Sequence, residues 1–67
     1  MLTIYKKFGE KVRELRKGEN LSQEQLAEKI KRDPRTVVAI EGGKRNPTLH
    51  TISKLAKALG VGIRDLF

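Results

Sequence analysis

A chain of 67 residues has room for one domain that buries about 60% of its unfolded surface, too little for a cofactor pocket and its lid. With no cysteine and a single histidine, His50, a disulfide framework, a thiolate nucleophile and a Cys- or His-built metal centre are excluded, and no cofactor is expected. Fifteen Lys and Arg against eight acids give a formal net charge of +7, which favours polyanionic partners, and no apolar run approaches the roughly 20 residues of a membrane span, so a soluble, cytoplasmic chain is expected.

Ile4, Phe8, Val12 and Leu15 recur at steps of four, four and three, lining one face of a helix from about Thr3 to Lys17. Lys6, Lys7, Lys11, Arg13 and Lys17 take the other faces, as a solvated surface over a core stripe. Tyr5, Lys6 and Lys7 either reach a flanking phosphate or form a solvated first turn. Gly18 and Asn20 tolerate a left-handed turn and end the helix.

In LSQEQLAEKI, Ser22 can cap a free backbone N–H while Gln25 reaches back to complete a capping box, and Leu26, Ala27 and Ile30 form the buried stripe. Asp33 is a suitable N-cap for a third helix, Pro34 to about Glu41, because proline's missing N–H has no helical partner at the first position. Gly42 and Gly43 stop it. A fourth helix is expected after NPT, with Thr48 as cap, Leu49, Ile52, Leu55, Ala56 and Leu59 as its apolar face, and Gly60 as its end. The tail VGIRDLF leaves Ile63, Leu66 and Phe67 on one or two further helical turns behind Gly62, a weak cap. No strand-like alternation or repeat appears, so one all-α domain of five helices over residues 1–67 is expected.

The helices Ser22 to Ile30 and Pro34 to Glu41 are separated by about three residues, too few for them to lie antiparallel in full contact, so they should cross steeply. That is helix-turn-helix geometry, in which the first helix bridges the phosphate backbone and the N-terminal residues of the second enter the major groove. Lys31, Arg32 and Arg35 cluster where the second of these helices begins, and Lys44 and Arg45 follow its end. Phosphate-neutralising groups thus stand at both edges of a groove-width probe.

FGEKVRELR, LSQEQLAEKI, TVVAIEGGKRNP and LHTISKLAKALGV with its closing DLF, in this order and at this spacing, closely resemble the phage-repressor and Cro-like (XRE-type) helix-turn-helix family, from about Phe8-Gly9 to Phe67. The resemblance implies a lambda-repressor-like DNA-binding domain. It further implies that Gln23 binds phosphate and braces the recognition helix, although the residue also suits a solvent-facing place beside the capping box. Asp33 to Thr36, Val38 and Ala39 then take the positions whose side chains point toward bases, and Gly43, Lys44, Arg45 and Asn46 the backbone-touching loop. Arg16 and Glu41 match a salt bridge that ties the first helix to the third.

Departures from the family pattern bear on how bases are read. Family members often carry glutamine where this chain has Pro34 and a polar residue where it has Ala39, and neither substitute can make glutamine's bidentate bond to adenine. Arg35 alone among the groove-facing candidates can make a bidentate contact to guanine, worth about 1 to 3 kcal/mol of discrimination. Thr36 can add a phosphate bond, and Val38 or Ala39 can pack on a thymine methyl, while Val37 and Ile40 are expected to face the core. The family's glycine between the two helices is Lys31 here, at a cost of up to about 1 kcal/mol if its φ is positive.

The expected function is a sequence-specific, double-stranded DNA-binding transcriptional regulator, a repressor or controller acting as a homodimer on a palindromic operator. Ile63, Leu66 and Phe67 either form the dimer contact or close the monomer core. No small-molecule effector is expected. An antitoxin that binds a toxin protein and regulates its own gene is the alternative; a general basic RNA- or membrane-surface module ranks below it, and its RNA version lacks a stacking platform, since Tyr5, Phe8 and Phe67 are the only aromatic residues. His50 is expected at the surface, and no serine has a sequence-evident His and acid partner, so an enzyme is not expected.

Overall fold

The structure, a computed structural model, describes residues 3–67. Four α-helices follow one another: α1 (Thr3–Gly18), α2 (Gln23–Ile30), α3 (Pro34–Glu41) and α4 (Leu49–Leu59). No strand occurs among the described residues. The expected fifth helix is instead a single 3-10 turn, Ile63–Leu66. Its four residues suffice for i→i+3 bonding but not for an α-helical repeat, and the turn is fixed from outside the ladder, by the Gly62 N–H donating to the Asp65 carboxylate at 2.9 Å.

Helices α2, α3 and α4 each start where their cap chemistry is satisfied. The Gln25 N–H donates to Ser22 Oγ at 3.0 Å and the Ser22 N–H donates to Gln25 Oε1 at 2.7 Å, which is the reciprocal capping box. Asp33 accepts from the Arg35 N–H ahead of Pro34, and Thr48 Oγ1 accepts from the Thr51 N–H at 3.1 Å. All four helices end alike, with one left-handed residue after which the next N–H reaches back to a carbonyl five residues earlier. The left-handed positions are Asn20, Lys31, Gly43 and Gly60, and the closing bonds run from Leu21 to Arg16, Arg32 to Ala27, Lys44 to Ala39 and Val61 to Ala56, at 2.9 to 3.1 Å. α1 therefore continues through Gly18, and its reversal falls on Asn20.

The core is contributed by every element: Phe8 and Val12, then Leu26, Ala27 and Ile30, Val37 and Ile40, Leu55, Ala56 and Leu59, and finally Leu66. α3 packs on both α1 and α2, while α4 covers α2 and α1. The approach of α1 to the end of α3 is close enough to require glycine. A Cβ on Gly9 would run into the Ile40 carbonyl oxygen and lie 2.8 Å from that of Glu41, and one on Gly43 would lie 2.8 Å from the Lys6 Cα.

Two expectations about the apolar set are corrected, and for Leu66 one of two alternatives is met. Leu66, a candidate dimer contact, is fully buried and belongs to the core, because the 3-10 turn rolls its side chain under α4 and α1. Ile4 and Leu49, expected in buried stripes, are 57% and 67% exposed. Ile4 stands a turn before Phe8, and Leu49 a turn before the half-buried Ile52, so both helical periods run on past the edge of the core.

Candidate nucleic-acid interface

α3 is eight residues long, and its periodicity sorts them between two environments. Val37 and Ile40 are buried, whereas Val38 is 51% exposed, Ala39 and Thr36 are half-buried, and Pro34 and Arg35 are exposed. An outward row of mixed apolar and polar side chains thus stands on a helix whose inner row is locked into the core. Lys31 and Arg32 are exposed at one end of that row, and Lys44, Arg45 and Asn46 at the other; Gly43 is buried against Lys6.

What fixes α3 is a polar knot at its last residue. The Glu41 carboxylate accepts from Arg16 Nε at 2.6 Å and Nη2 at 3.1 Å, and from Gln23 Nε2 at 3.1 Å. Arg16 Nη1 also donates to the Leu21 carbonyl at 2.7 Å. One carboxylate therefore joins α1, the start of α2 and the end of α3, with Arg16 and Glu41 both buried. Burying a charge is costly unless it is paired and hydrogen-bonded, and among the described residues no buried side-chain polar atom lacks a partner. Gln23 contacts this knot, with Arg13, Arg16, Val38 and Gly42 beside it in one shallow cleft.

A second cleft lies across α3, lined by Arg32, Thr36, Arg45, Asn46 and Thr48 among others. Arg45 Nη1 donates to Thr36 Oγ1 at 3.1 Å, which draws the loop after α3 toward the outward row. Arg35 is held at the other end: its Nε and Nη2 donate to Asp33 Oδ1 and Oδ2 at 3.1 and 3.0 Å. The Arg35 hydrogen bonds lower the Asp33 carboxyl from 3.8 to about 2, and the same bond raises the arginine.

Arg13 and the Asp33 clamp were not singled out from sequence. Arg13 sits one turn before Arg16 on α1, a spacing that places both on one side of the helix, but what lies opposite is set by the fold. The Asp33–Arg35 pair had a local signal, an acidic N-cap two residues before an arginine.

A basic-edged, half-exposed helix, carried by a second short helix through a three-residue turn, defines a helix-turn-helix domain. Residues 12–66 match the helix-turn-helix family model, and the chain belongs to that family. It is 48% identical over 48 residues to an uncharacterized HTH-type transcriptional regulator of Methanocaldococcus jannaschii, covering 72% of this chain and 73% of that protein. To the control protein C.BamHI of Bacillus amyloliquefaciens it is 45% identical over 60 residues, covering 88% and 74%. The crystal structure of the restriction-modification controller protein C.AhdI from Aeromonas hydrophila superposes with a TM-score of 0.94 at 45% identity, over 97% of this chain and 98% of that one.

Proposed function

We propose that this protein is a sequence-specific, double-stranded DNA-binding transcriptional regulator of the controller kind, with α3 as its recognition helix. The observation that carries this reading is the outward row of α3, Arg35, Thr36, Val38 and Ala39, with Pro34 at its leading end, bracketed by exposed cations. In the major groove that row meets base edges, while Lys31, Arg32, Lys44 and Arg45, with Asn46, the Gly43 backbone and Gln23, meet phosphates on either side. Arg35 is the reader with bidentate capacity for guanine; Val38 and Ala39 supply apolar contact to thymine methyls.

One module spans few base pairs, so the reading includes a homodimer on a palindrome with half-sites about 34 to 36 Å apart. Ile63 and Phe67 remain exposed and available for that contact. The relatives' names favour gene regulation over capture of a toxin protein.

Selection of binding sites from random duplex DNA tests the reading. Enrichment of a palindrome containing guanine at one position per half-site is expected. Recovery of unenriched sequence would reduce the protein to a general polyanion binder.

A further inference from the structure

We infer that Asp33 is a positioning residue for base recognition, holding the Arg35 guanidinium so that its remaining edge is presented to guanine. The inference rests on Arg35 being the base reader. A guanidinium has five N–H donors, and Asp33 takes two, at Nε and at one position of Nη2. The three left over lie on the Nη1 and Nη2 edge, which still offers the pair of donors that guanine O6 and N7 require.

The clamp itself is anchored. Asp33 Oδ1 also accepts the backbone N–H of Arg35 at 2.8 Å, so the carboxylate that orients the arginine is fixed by its place as N-cap of α3. Pro34 stands between the two residues and holds the backbone linking them near one φ. Nothing else restrains Arg35: its side chain is 91% exposed and Asp33 is its one ion-pair partner among the described residues. An arginine of that exposure would otherwise lose its rotamer freedom on binding, and Asp33 removes part of that cost beforehand. The carboxylate also opposes phosphate at the leading tip of α3, which weakens binding to DNA that offers Arg35 no guanine.

Asp33→Asn separates this role from capping, because asparagine caps a helix as well as aspartate does but lacks the charge. Full-length wild type, Asp33→Asn, Arg35→Ala and the double variant are each titrated with the selected duplex, with the same duplex changed at the guanine, and with random duplex. Arg35→Ala should lose about five- to hundredfold in discrimination at that pair. Asp33→Asn should lose about two- to tenfold there, bind random duplex more tightly, and melt within a few degrees of the wild type, since the cap is kept and only an exposed ion pair is lost. In the Arg35→Ala background Asp33→Asn should leave discrimination unchanged.

If Arg35→Ala keeps full discrimination, the reader is misassigned and the inference falls with it. If Arg35→Ala loses discrimination but Asp33→Asn keeps or sharpens it, Arg35 remains the reader and the clamp alone is overturned. Should Asp33→Asn melt lower, Asp33→Ser gives the same comparison, since a ratio of affinities does not depend on the fraction folded.

Discussion

Two single positions around the inter-helix turn make opposite use of local chemistry. At Asp33, hydrogen bonds from the Arg35 side chain and backbone favour the ionised carboxylate and hold its pKa at about 2, below the ordinary 3.8. A carboxyl depressed on folding contributes stability that is present above its unfolded pKa and is lost as pH falls through the folded one, so the start of α3 should loosen between about pH 4 and pH 2. A 13C-detected NMR titration of the Asp33 carboxyl should find its midpoint near the lower end of that window, moving up in Arg35→Ala; a midpoint at the ordinary value in wild type would mean the clamp is not formed in solution. At Lys31 the chain accepts strain instead: φ 58 and ψ 48 lie in the left-handed region, where a side chain is disfavoured. Lys31→Gly should therefore be neutral or stabilise by up to about 1 kcal/mol in thermal melts, and a clear loss would place the lysine's own contacts above its backbone cost.

Helix α3 owes its position to elements far away in sequence, which no local pattern records. The starts of α2 to α4 and the ends of α1 to α4 were legible because caps, Pro34 and the closing turn residues act within a few positions. The inward facing of Val37 and Ile40 followed from the same local period. The role of Gln23 was harder to read, since its partner Glu41 lies 18 residues on and only folding shows that their side chains meet. Leu66 could not be sorted from Ile63 and Phe67 because two apolar residues on a four-residue 3-10 turn and one just after it carry no period to divide core from surface. The element-scale consequence lies in the Glu41 knot. Arg16→Met keeps volume but leaves a buried carboxylate with Gln23 as its remaining partner, so it should cost about 3 kcal/mol or more in urea unfolding. Adding Glu41→Leu should recover most of that loss, because two apolar groups leave no charge to desolvate. A single variant that melts like wild type would show that water reaches the carboxylate.

For the whole molecule, the decisive quantity is apolar surface left outside the core. Phe67 stacks on Phe8 with ring centroids 5.2 Å apart yet stays 66% exposed. Together with Ile4, Tyr5, Pro47 and Ile52 the two rings line one shallow hollow. Leu49, one turn before Ile52 on α4, extends the apolar set, and Ile63 precedes Phe67 by four residues. Exposed apolar area of this kind favours association, and a two-fold contact between identical patches is the commonest way to cover it. Phe67 is a poor probe of that contact because its loss would also uncover Phe8. Leu49→Ser is a better one, since the side chain supports no core packing and its burial between copies would be worth about 1.5 to 3 kcal/mol per subunit. Sedimentation across protein concentration should show the wild type dimerising and Leu49→Ser shifted at least about tenfold toward monomer. The variant should bind a duplex carrying one half-site as wild type does and lose affinity only on the palindrome. Equal loss on both duplexes would mean that Leu49 supports the DNA-binding surface itself, and unchanged sedimentation would move the dimer contact off this face.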